Sequence, residues 1–503
     1  MGMAFDNDIY LREQRDKILQ RVGKDASRRL YLEFGGKLIG DFHAARVLPG
    51  FDPDVKIRLL EQLSRSADII ICIHAGDIER KKIRADLSIT YDFDAMRLLD
   101  DLRSRGVGVT AVVITRFNGQ PSALEFKARL ERHGLKVYLH REISGYPNNF
   151  DHIVSENGFG ANPYIEVTQP LVVVTGPGPN SGKMGTCLSQ IYHEFSLGRH
   201  AHYAKFETFP VWNLPLNHPV NVAYEAATAD LQDANAIDYL HYEAYGTMAV
   251  NYNRDLQAFP LLKAMLERIS GKPCEYRSPT DMGVNCIASG IVDDAAVQAA
   301  SRLEIARRYY QCCADFTLGR GDQKTVERIG EICSRAGVDP RTRDVVVAAS
   351  EAARECEAEG KGNEGIFCGA AIKLPDGKVI KGKNSMLMHS SSSMVLNAIK
   401  YLAKVPESQH LLLPDILESV AAFKEGLNTS HHAGLDLNET LIALVVSATR
   451  DLYARKAMDT IGTLTRCDMH LTHIPTPGDE AGLRRLGISY TFDPKIPSRN
   501  LLG

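Results

Sequence analysis

The chain has 503 residues, a length that suggests about three domains. Its apolar content of 44% and charged content of 24% are typical of a soluble globular protein. The formal net charge of −3, with no lysine- or arginine-rich run, gives no broad attraction for nucleic acid. No apolar run is long enough to span a bilayer. We therefore expect neither a nucleic-acid partner nor a membrane partner.

The beginning of the sequence lacks the apolar core of a signal peptide, and the ten cysteines include no C-x-x-C pair. Scattered cysteines without metal-ligand spacing are typical of buried thiols in a reducing compartment. The sequence therefore predicts a cytoplasmic protein.

Strand and helix signals alternate through the first third of the chain. The nearly continuous apolar run 67–74 is typical of a strand buried on both faces. A helix is predicted over 91–105, with Phe93 on its apolar face and Gly106 as its cap. Further strands are predicted at 109–114 and 135–139, with a helix at 123–133 between them. This alternation predicts an N-terminal α/β region with parallel strands, residues 1–165.

A strand–turn–helix–strand unit comes next and begins a predicted second region, residues 166–350. Its first strand is predicted at 171–175, its helix reaches residue 197, and its last strand is 201–207. From about residue 219 to 337 the pattern is mostly helical. The sequence leaves open whether this unit shares a sheet with the first third.

The last part of the chain has a different pattern. The polar, glycine- and glutamate-rich stretch 351–365 is interpreted as a solvated linker or loop. A smaller α+β domain is predicted over 365–503. It begins with a hairpin around the Pro-Asp-Gly turn 375–377. A strand, a helix and a strand follow, predicted at 469–474, 479–486 and 488–492.

The main functional signal is the glycine-rich turn between strand 171–175 and the next helix. Backbone N–H groups at a helix N-terminus bind phosphate, glycines let the chain wrap closely, and a lysine adds positive charge. An ordinary glycine-rich loop is the alternative. The predicted phosphate- or nucleotide-binding residues are Gly176, Gly178, Asn180, Ser181, Gly182, Lys183 and Thr186.

This turn departs from the G-x-x-x-x-G-K-[ST] pattern. The position five residues before Gly182 is Pro177, so the first glycine is displaced. Met184 stands where Ser or Thr would hold Mg²⁺, and the substitute hydroxyl is that of Thr186 or Ser181. Phosphate binding is therefore the firmer expectation, and nucleotide binding the more specific one.

The predicted catalytic residues are Lys183 in the turn and Lys205 and Glu207 on the next strand. A second lysine near a phosphate loop can neutralise transferred charge, and a carboxylate can hold Mg²⁺. The predicted metal ligands are therefore Thr186 and Glu207. A surface ion pair between Lys205 and Glu207 is the alternative.

Two polar segments rich in turn-forming residues, 245–255 and 277–285, are candidate substrate-binding loops, although either could be purely structural. The turn 35–37 is a second small Gly-Lys turn, which alone is weak evidence. The predicted substrate-binding residues are Asn251, Asn253, Arg254, Asp281 and Asn285.

The segments VVVTGPGPNSGKMGTCLSQIYHEF, YAKFETFPVWNLPLNHPVNVAYEAATADL, AVNYNRD and SPTDMGVN resemble a bacterial family with the domain of unknown function 1846, of the UPF0371 type. This resemblance covers nearly the whole chain and implies no activity. The unit with Lys183, Lys205 and Glu207 is also similar to dethiobiotin synthetase and related P-loop ligases. That resemblance implies ATP with Mg²⁺ and a carboxylate substrate.

The segments GAAIKLPDGKVIKGKNS and HLTHIPTPGDEAGLRRLGI resemble the hairpin and the strand–helix–strand of the cytidine deaminase fold. In that fold zinc requires a His or Cys near a Glu, then P-C-x-x-C. Here 391–393 and 477–480 occupy those regions without a cysteine pair, so we expect no zinc. His470, His473 and Asp479 remain a weaker candidate cluster, because isolated histidines are more often structural.

The fold class predicted is thus α/β: a parallel-sheet region with a P-loop-like unit, a helical middle and a smaller α+β domain. The leading hypothesis is an ATP-dependent ligase or kinase-like enzyme that binds a small phosphorylated ligand. A non-hydrolysing protein that binds a phosphorylated metabolite is the alternative, and Met184 favours it. A mainly structural homo-oligomer is the third hypothesis.

Overall fold

The structure is a computed structural model that describes residues 3–23, 28–84, 89–363, 365–426 and 434–497. The chain divides into two compact units, Gly2–Arg302 and Leu303–Gly503. Both units combine helices with sheets, so the predicted α/β class is confirmed.

The first unit is organised around one large sheet. Its strands, in chain order, are β1 (Arg28–Phe34), β2 (Ala67–His74), β3 (Ile83–Arg84), β4 (Ile89–Thr90), β5 (Ala111–Phe117), β6 (Val137–Arg141), β7 (Leu171–Thr175), β8 (His200–Phe206), β9 (Asn235–Ile237), β10 (Val250–Tyr252) and β11 (Gly283–Val284). Seven of these strands pair in parallel in the order β11-β8-β1-β7-β2-β5-β6. The strand–turn–helix–strand unit therefore shares a sheet with the first third, and β7 is its central strand.

Helices cover the sheet of the first unit. They are α1 (Asn7–Val22), α2 (Phe42–Val47), α3 (Val55–Leu63), α4 (Ala75–Glu79), α5 (Tyr91–Ser104), α6 (Pro121–Arg132), α7 (Phe150–Ile153), α8 (Lys183–Ser196), α9 (Pro219–Ala227), α10 (Tyr239–Tyr245), α11 (Asn253–Ser270), α12 (Pro279–Met282), α13 (Ile287–Gly290) and α14 (Asp294–Thr317), the last spanning the division between the units. Helices α8 and α11 pack on one face of the sheet through Leu188 and Leu262. Residues of β2 and β7 are buried on both faces, which is why these strands are continuous apolar runs.

The predicted strands 67–74 and 171–175 are confirmed at both ends. The strands predicted at 109–114 and 135–139 are present but both begin two residues later, at 111 and 137, because an apolar run marks a strand without fixing its ends. Phe93 was predicted on the apolar face of α5, and this is wrong. Its side chain is exposed, and its ring lies under the guanidinium of Arg129.

The predicted helical stretch 219–337 also contains the strands β9, β10 and β11. Each has only two or three residues, which is too short to show a period of two in the sequence. Strand β11 pairs with β8 and forms one edge of the large sheet.

The second unit has a four-stranded mixed sheet. Its strands are β12 (Gly369–Lys373), β13 (Val379–Lys383), β14 (Asp468–Leu471) and β15 (Ser489–Phe492), in the order β13-β12-β14-β15. Strand β12 is antiparallel to both neighbours, and β14 is parallel to β15. Its helices are α15 (Gln323–Ala336), α16 (Asp344–Ala358), α17 (Ser390–Leu402), α18 (Pro414–Gly426), α19 (Leu437–Ala448), α20 (Leu452–Met458) and α21 (Pro477–Arg485). The predicted hairpin and strand–helix–strand pattern are present.

The linker interpretation of 351–365 is wrong for its first half, because residues 351–358 continue α16. Ala352 and Cys356 on this helix are buried. Gly369 of β12 allows the close approach: a Cβ atom there would lie 2.1 Å from the carbonyl oxygen of Ala349. Small side chains such as Ala352 and Cys356 form the buried face of this helix, so the polar composition of 351–358 hid the helix.

Among the described helices, none is both long and apolar enough to cross a membrane.

Candidate phosphate-binding site

The glycine-rich turn lies at the centre of the carboxyl edge of the large sheet. Strand β7 is flanked by β1 and β2. The chain reaches β7 from β6 at one edge and continues to β8 on the other side of β1. The connection that leaves β7 runs toward β8, whereas the connection that leaves its neighbour β2 runs in the opposite direction, toward β5. Such a switch point is where open α/β sheets form a binding crevice.

The turn 176–182 leads directly into α8, whose first residue is Lys183. Gly182 is the N-cap of the helix and has a φ of +86°, in the left-handed region. Asn180, two residues earlier, also has a positive φ, of 57°. No side chain caps α8. Its first N–H groups therefore remain as donors for an external acceptor.

Three glycines of the turn stand where a side chain would collide with the protein. The atom nearest to a Cβ atom placed at each position is the carbonyl oxygen of Cys72 for Gly176 (2.4 Å), a ring carbon of Tyr91 for Gly178 (2.3 Å) and the hydroxyl oxygen of Thr115 for Gly182 (2.6 Å). Close packing of the turn against β2, α5 and β5 thus accounts for the glycines by itself. The features that favour a ligand are therefore the uncapped N-terminus of α8 and Lys183.

Side chains from neighbouring elements hold the turn in shape. Thr115 Oγ1, at the end of β5, donates to the carbonyl of Ser181 at 2.7 Å. Arg84 Nη1 donates to the carbonyl of Pro177 at 3.3 Å. Ser181 is itself buried. Because these contacts come from the protein, the turn needs no ligand to adopt its conformation.

Lys183 is the charged group of the turn. It is partly exposed, and its Nζ lies 3.5 Å from Ser181 Oγ. Among the described residues, no carboxylate lies within ion-pair distance of this ammonium group. A cation without a counter-ion, next to an uncapped helix N-terminus, favours binding of an anion.

Met184 and Thr186, the two positions of α8 where a hydroxyl could hold Mg²⁺, both point into the protein. Met184 packs against the core of the sheet. Thr186 is buried, and its hydroxyl lies 3.4 Å from Cys72 Sγ. Burial raises the pKa of Cys72 to about 12, so the thiol keeps its proton and donates. Within the described ranges, no group of three or more His, Cys, Asp or Glu residues is arranged to hold a metal ion.

A solvent-open cleft borders the turn at Gly176 and Pro177. Its charged lining consists of three basic side chains and one acidic side chain, Lys37, Arg84, Arg97 and Asp94. Asp94 pairs with both arginines. The second Gly-Lys turn of the sequence therefore faces the first across this cleft, and the excess of positive charge suits an anionic ligand.

Lys205 and Glu207 form an ion pair, which was the alternative to a catalytic role, and two further acidic residues join them. Lys205 Nζ lies 2.7 Å from Glu207 Oε1, and 2.8 and 2.7 Å from the two carboxylate oxygens of Asp255. Glu33 on β1 stands opposite Lys205 in the sheet and accepts a hydrogen bond of 2.6 Å from Tyr203. Glu207 Oε2 is buried, with no hydrogen-bond partner in the described part of the chain.

The pKa values of this cluster are shifted by burial and by neighbouring charges. Burial lowers the pKa of Lys205, but the negative charges of Asp255 and Glu207 raise it by more than burial lowers it. The ammonium group therefore stays charged. Burial raises the pKa of Glu207; Lys205 opposes this shift, and Asp255 adds to it. A carboxyl group with a raised pKa is typical of sites that move protons.

The Lys205 cluster and the turn share one edge of the sheet but are not in contact. Strand β1 lies between β7 and β8, and neighbouring strands are about 4.8 Å apart. The register aligns Glu33 with Val174 on one side and with Lys205 on the other. Lys205 is thus roughly 10 Å from the line of β7, within the span of a nucleotide-sized ligand but beyond direct contact with one phosphate, while Glu33 lies one strand spacing from β7.

The five predicted substrate-binding side chains are all engaged in hydrogen bonds within the fold. Arg254, for example, pairs with Asp233, and Asn285 donates to the carbonyl of Pro210 at 2.8 Å. The remaining partners are Thr280 for Asn251, the N–H of Ala234 for Asn253, and Tyr245 for Asp281. These contacts support structural roles for the two loops.

The second unit has its own polar cluster at the N-termini of α17 and α21. Asp479 accepts hydrogen bonds from His389 Nδ1 at 2.7 Å and from Ser391 Oγ at 2.6 Å. Burial opposes ionisation of Asp479, but these donors outweigh it and lower its pKa to about 2. His473 is buried nearby, and burial lowers its pKa to about 4. His470 instead bonds to Thr491.

Sequence reasoning missed Asp255, Glu33 and Thr115. Glu33 had a usable signal, because it is the one acidic residue in the otherwise apolar run 30–34. Asp255 is 50 positions from Lys205, and Thr115 is 66 positions from Ser181. Only the strand order reveals that they are neighbours.

The fold defines a two-unit α/β protein with a parallel sheet followed by a smaller mixed sheet. The family model described as "Domain of unknown function DUF1846, N-terminal" matches residues 3–337, and the corresponding C-terminal model matches residues 341–502. The chain therefore belongs to the DUF1846 family, which confirms the resemblance.

Curated relatives of the chain are named UPF0371 protein. The relative from Clostridium tetani is 49% identical over 501 residues, and that from Clostridioides difficile is 48% identical over 501 residues. The relative from Fusobacterium nucleatum is 48% identical over 504 residues. Each of these matches covers 100% of this chain and 99% of the relative.

Proposed function

We propose that the turn 176–183 binds the phosphate group of a small phosphorylated metabolite or nucleotide. The observation that supports this most directly is Lys183, a cation without a described counter-ion at the uncapped N-terminus of α8. The cleft lined by Lys37, Arg84 and Arg97 supplies further positive charge beside it. The position at the switch point of the sheet is the usual place for such a ligand.

Binding without a tightly held metal ion fits this site best. Met184 and Thr186 both face the interior, so neither supplies a hydroxyl at the open end of the turn. Phosphate would instead be held by the N–H groups of α8 and by the Lys183 ammonium.

Ligand-dependent thermal stabilisation tests the proposal. The full chain is heated with inorganic phosphate, ADP, ATP, a sugar phosphate or adenosine. A ligand at 100 times its dissociation constant stabilises the native state by about 2.7 kcal/mol. We expect stabilisation by phosphorylated compounds and none by adenosine.

Two lysine variants provide the comparison. Lys183→Ala removes the charge at the turn, and we expect at least about tenfold weaker binding. Lys136→Ala removes an exposed lysine elsewhere in the first unit and should bind like the parent. Equal affinity of Lys183→Ala and the parent, or equal stabilisation by adenosine and ATP, would overturn the proposal.

A second candidate function is phosphoryl transfer or ligation driven by ATP. The observation that favours it is the Lys205 cluster, which shares the carboxyl edge with the turn and includes the buried Glu207 carboxyl. Lys205 would neutralise charge on a transferred group, and Glu207 would hold Mg²⁺ or accept a proton.

ATP turnover with and without Mg²⁺ separates the two candidates. A ligase or kinase should consume ATP only with Mg²⁺, and Glu207→Gln should abolish turnover while ATP still binds. If ATP binds but is not consumed with or without Mg²⁺, across a panel of small carboxylates and alcohols, the protein binds its ligand without catalysing ATP-driven transfer.

A further inference from the structure

Helix α19 is apolar on more than the side that faces the core. Its inward residues, such as Leu437 and Leu444, are buried in the second unit. After Glu439 the helix has no charged residue, and Ile442, Val445 and Val446 are exposed at helical spacing. A helix that is apolar all round is normally covered on all sides.

Helices α18 and α20 both lie beside α19, and each also has exposed apolar residues. Lys424 Nζ of α18 lies 2.8 Å from Glu439 at the start of α19. At the other end, Arg450 lies 2.8 Å from Asp415 of α18. Helix α18 is therefore antiparallel to α19, and α20 follows after three residues. The exposed apolar residues of the three helices, here called the α18–α20 face, are Phe423, Ile442, Val445, Val446, Leu452 and Tyr453.

The exposed apolar area of this face is close to the apolar area that each partner buries in a typical homodimer interface. Its six side chains are 40% to 74% exposed. A large side chain has roughly 150–200 Å² of surface, so the face presents on the order of 550 Å². Each partner in a stable interface buries about 800 Å², of which about 65% is apolar in homodimers, or roughly 520 Å².

The charges around the face favour a second copy of the same chain. The ion pair at each end of α19 combines one acid and one base. A two-fold axis across α19 would place the Lys424–Glu439 end of one copy beside the Arg450–Asp415 end of the other. Such a balanced rim is self-complementary, whereas a face that binds an anionic membrane surface is rich in lysine and arginine. The net charge of −3 also leaves little repulsion between copies.

We propose that the α18–α20 face is an isologous interface through which two copies of this chain associate, independently of the phosphate site. Sedimentation velocity of the full chain over a wide concentration range tests this. The expected parent mass is twice 55.6 kDa. Val445→Glu places two like charges at the centre of the interface, which should weaken association by about a hundredfold or more and give a monomer.

The matched control is Val347→Glu on α16, which changes the same residue type at a comparable exposure, outside this face. It should sediment as a dimer, as should Lys183→Ala. If Val445→Glu loses its circular dichroism signal, Leu452→Lys at the more exposed edge replaces it. A monomeric parent at every concentration overturns the proposal, whether or not it floats with anionic vesicles. An unchanged mass in folded variants of the face also overturns it.

Discussion

Asp255 holds the Lys205 ammonium with both carboxylate oxygens, at 2.8 and 2.7 Å from Nζ. Lys205 lies near the carboxyl end of β8, and Asp255 lies in the first turn of α11. The contact therefore fastens the start of α11 to the edge of the sheet. Both side chains are largely buried, so this ion pair is far less exposed to solvent than a surface pair.

The first prediction concerns this ion pair. Asp255→Asn keeps the shape of the side chain but leaves Lys205 with Glu207 as its remaining close acidic partner. We expect a loss of about 1–3 kcal/mol in the free energy of unfolding. Trp212, the single tryptophan of the chain, is buried in the first unit, and its fluorescence in a urea titration reports the change.

The control for this prediction is an exposed ion pair in the same unit. Asp151 pairs with Arg268 at 3.2 Å, and both side chains are mostly in solvent. Asp151→Asn should change the free energy of unfolding by less than about 0.5 kcal/mol. Equal effects of the two substitutions would show that Lys205 does not depend on Asp255.

The second prediction compares two glycines, one in the turn and one in α8. A Cβ atom at Gly182 would meet the Thr115 side chain at 2.6–2.8 Å, in a left-handed conformation. Gly182→Ala should therefore cost about 1–3 kcal/mol and weaken phosphate binding. No atom lies within 4 Å of a Cβ at Gly185, so Gly185→Ala should be neutral or stabilise α8 by up to about 1 kcal/mol. Trp212 fluorescence in a urea titration measures the free energy of unfolding of both variants. A Gly182→Ala variant that is as stable as the parent and binds phosphate equally well would contradict this explanation of the turn.

The features of the fold that the sequence predicted best are those encoded locally. The buried strands β2 and β7 are continuous apolar runs, so their ends could be located without any knowledge of the sheet. Strand β11 has two residues and exists only because β8 offers it a partner. Helix α16 was mistaken for a linker because its buried face consists of small residues beside a polar, charged face.

The same distinction applies to the site. Gly182 and Lys183 were found because a strand, a turn and a helix follow each other in the chain. The inward position of Thr186 was also readable, because it shares a buried helical row with Gln190 and Glu194. The proximity of Glu33 and Asp255 to Lys205 could not be read from the sequence, because it depends on strand register for Glu33 and on the packing of α11 for Asp255.

The third prediction is a loss of stability of the second unit in mild acid. Burial lowers the pKa of His473 to about 4, from 6.5 when it is unperturbed. A histidine with a lowered pKa in the folded state stabilises the fold above pH 6.5, and this contribution disappears as the pH falls toward 4. We expect a loss of about 3 kcal/mol over that range. Hydrogen exchange of β12 and β14 amides, corrected for intrinsic pH dependence, measures it.

Two histidine variants isolate this effect. His473→Leu removes this titrating group and should reduce the dependence on pH between 6.5 and 4, leaving the smaller contribution of His470, whose pKa is also lowered by burial. His410 is exposed in the same unit, so His410→Leu should keep the slope of the parent. A parent protein whose β14 protection does not change over this interval would show that His473 is not held neutral by the fold.

The fourth prediction concerns the size of the ligand. Lys37 lines the same cleft as Pro177. Inorganic phosphate at the N-terminus of α8 would not reach it, whereas a ligand with a second anionic group could. Lys37→Ala should therefore weaken binding of a diphosphate or larger ligand by about tenfold and leave the affinity for inorganic phosphate unchanged. Isothermal titration calorimetry with both ligands measures the two affinities. Equal losses for both would place Lys37 at the primary phosphate, and no loss for either would exclude the cleft from the ligand site.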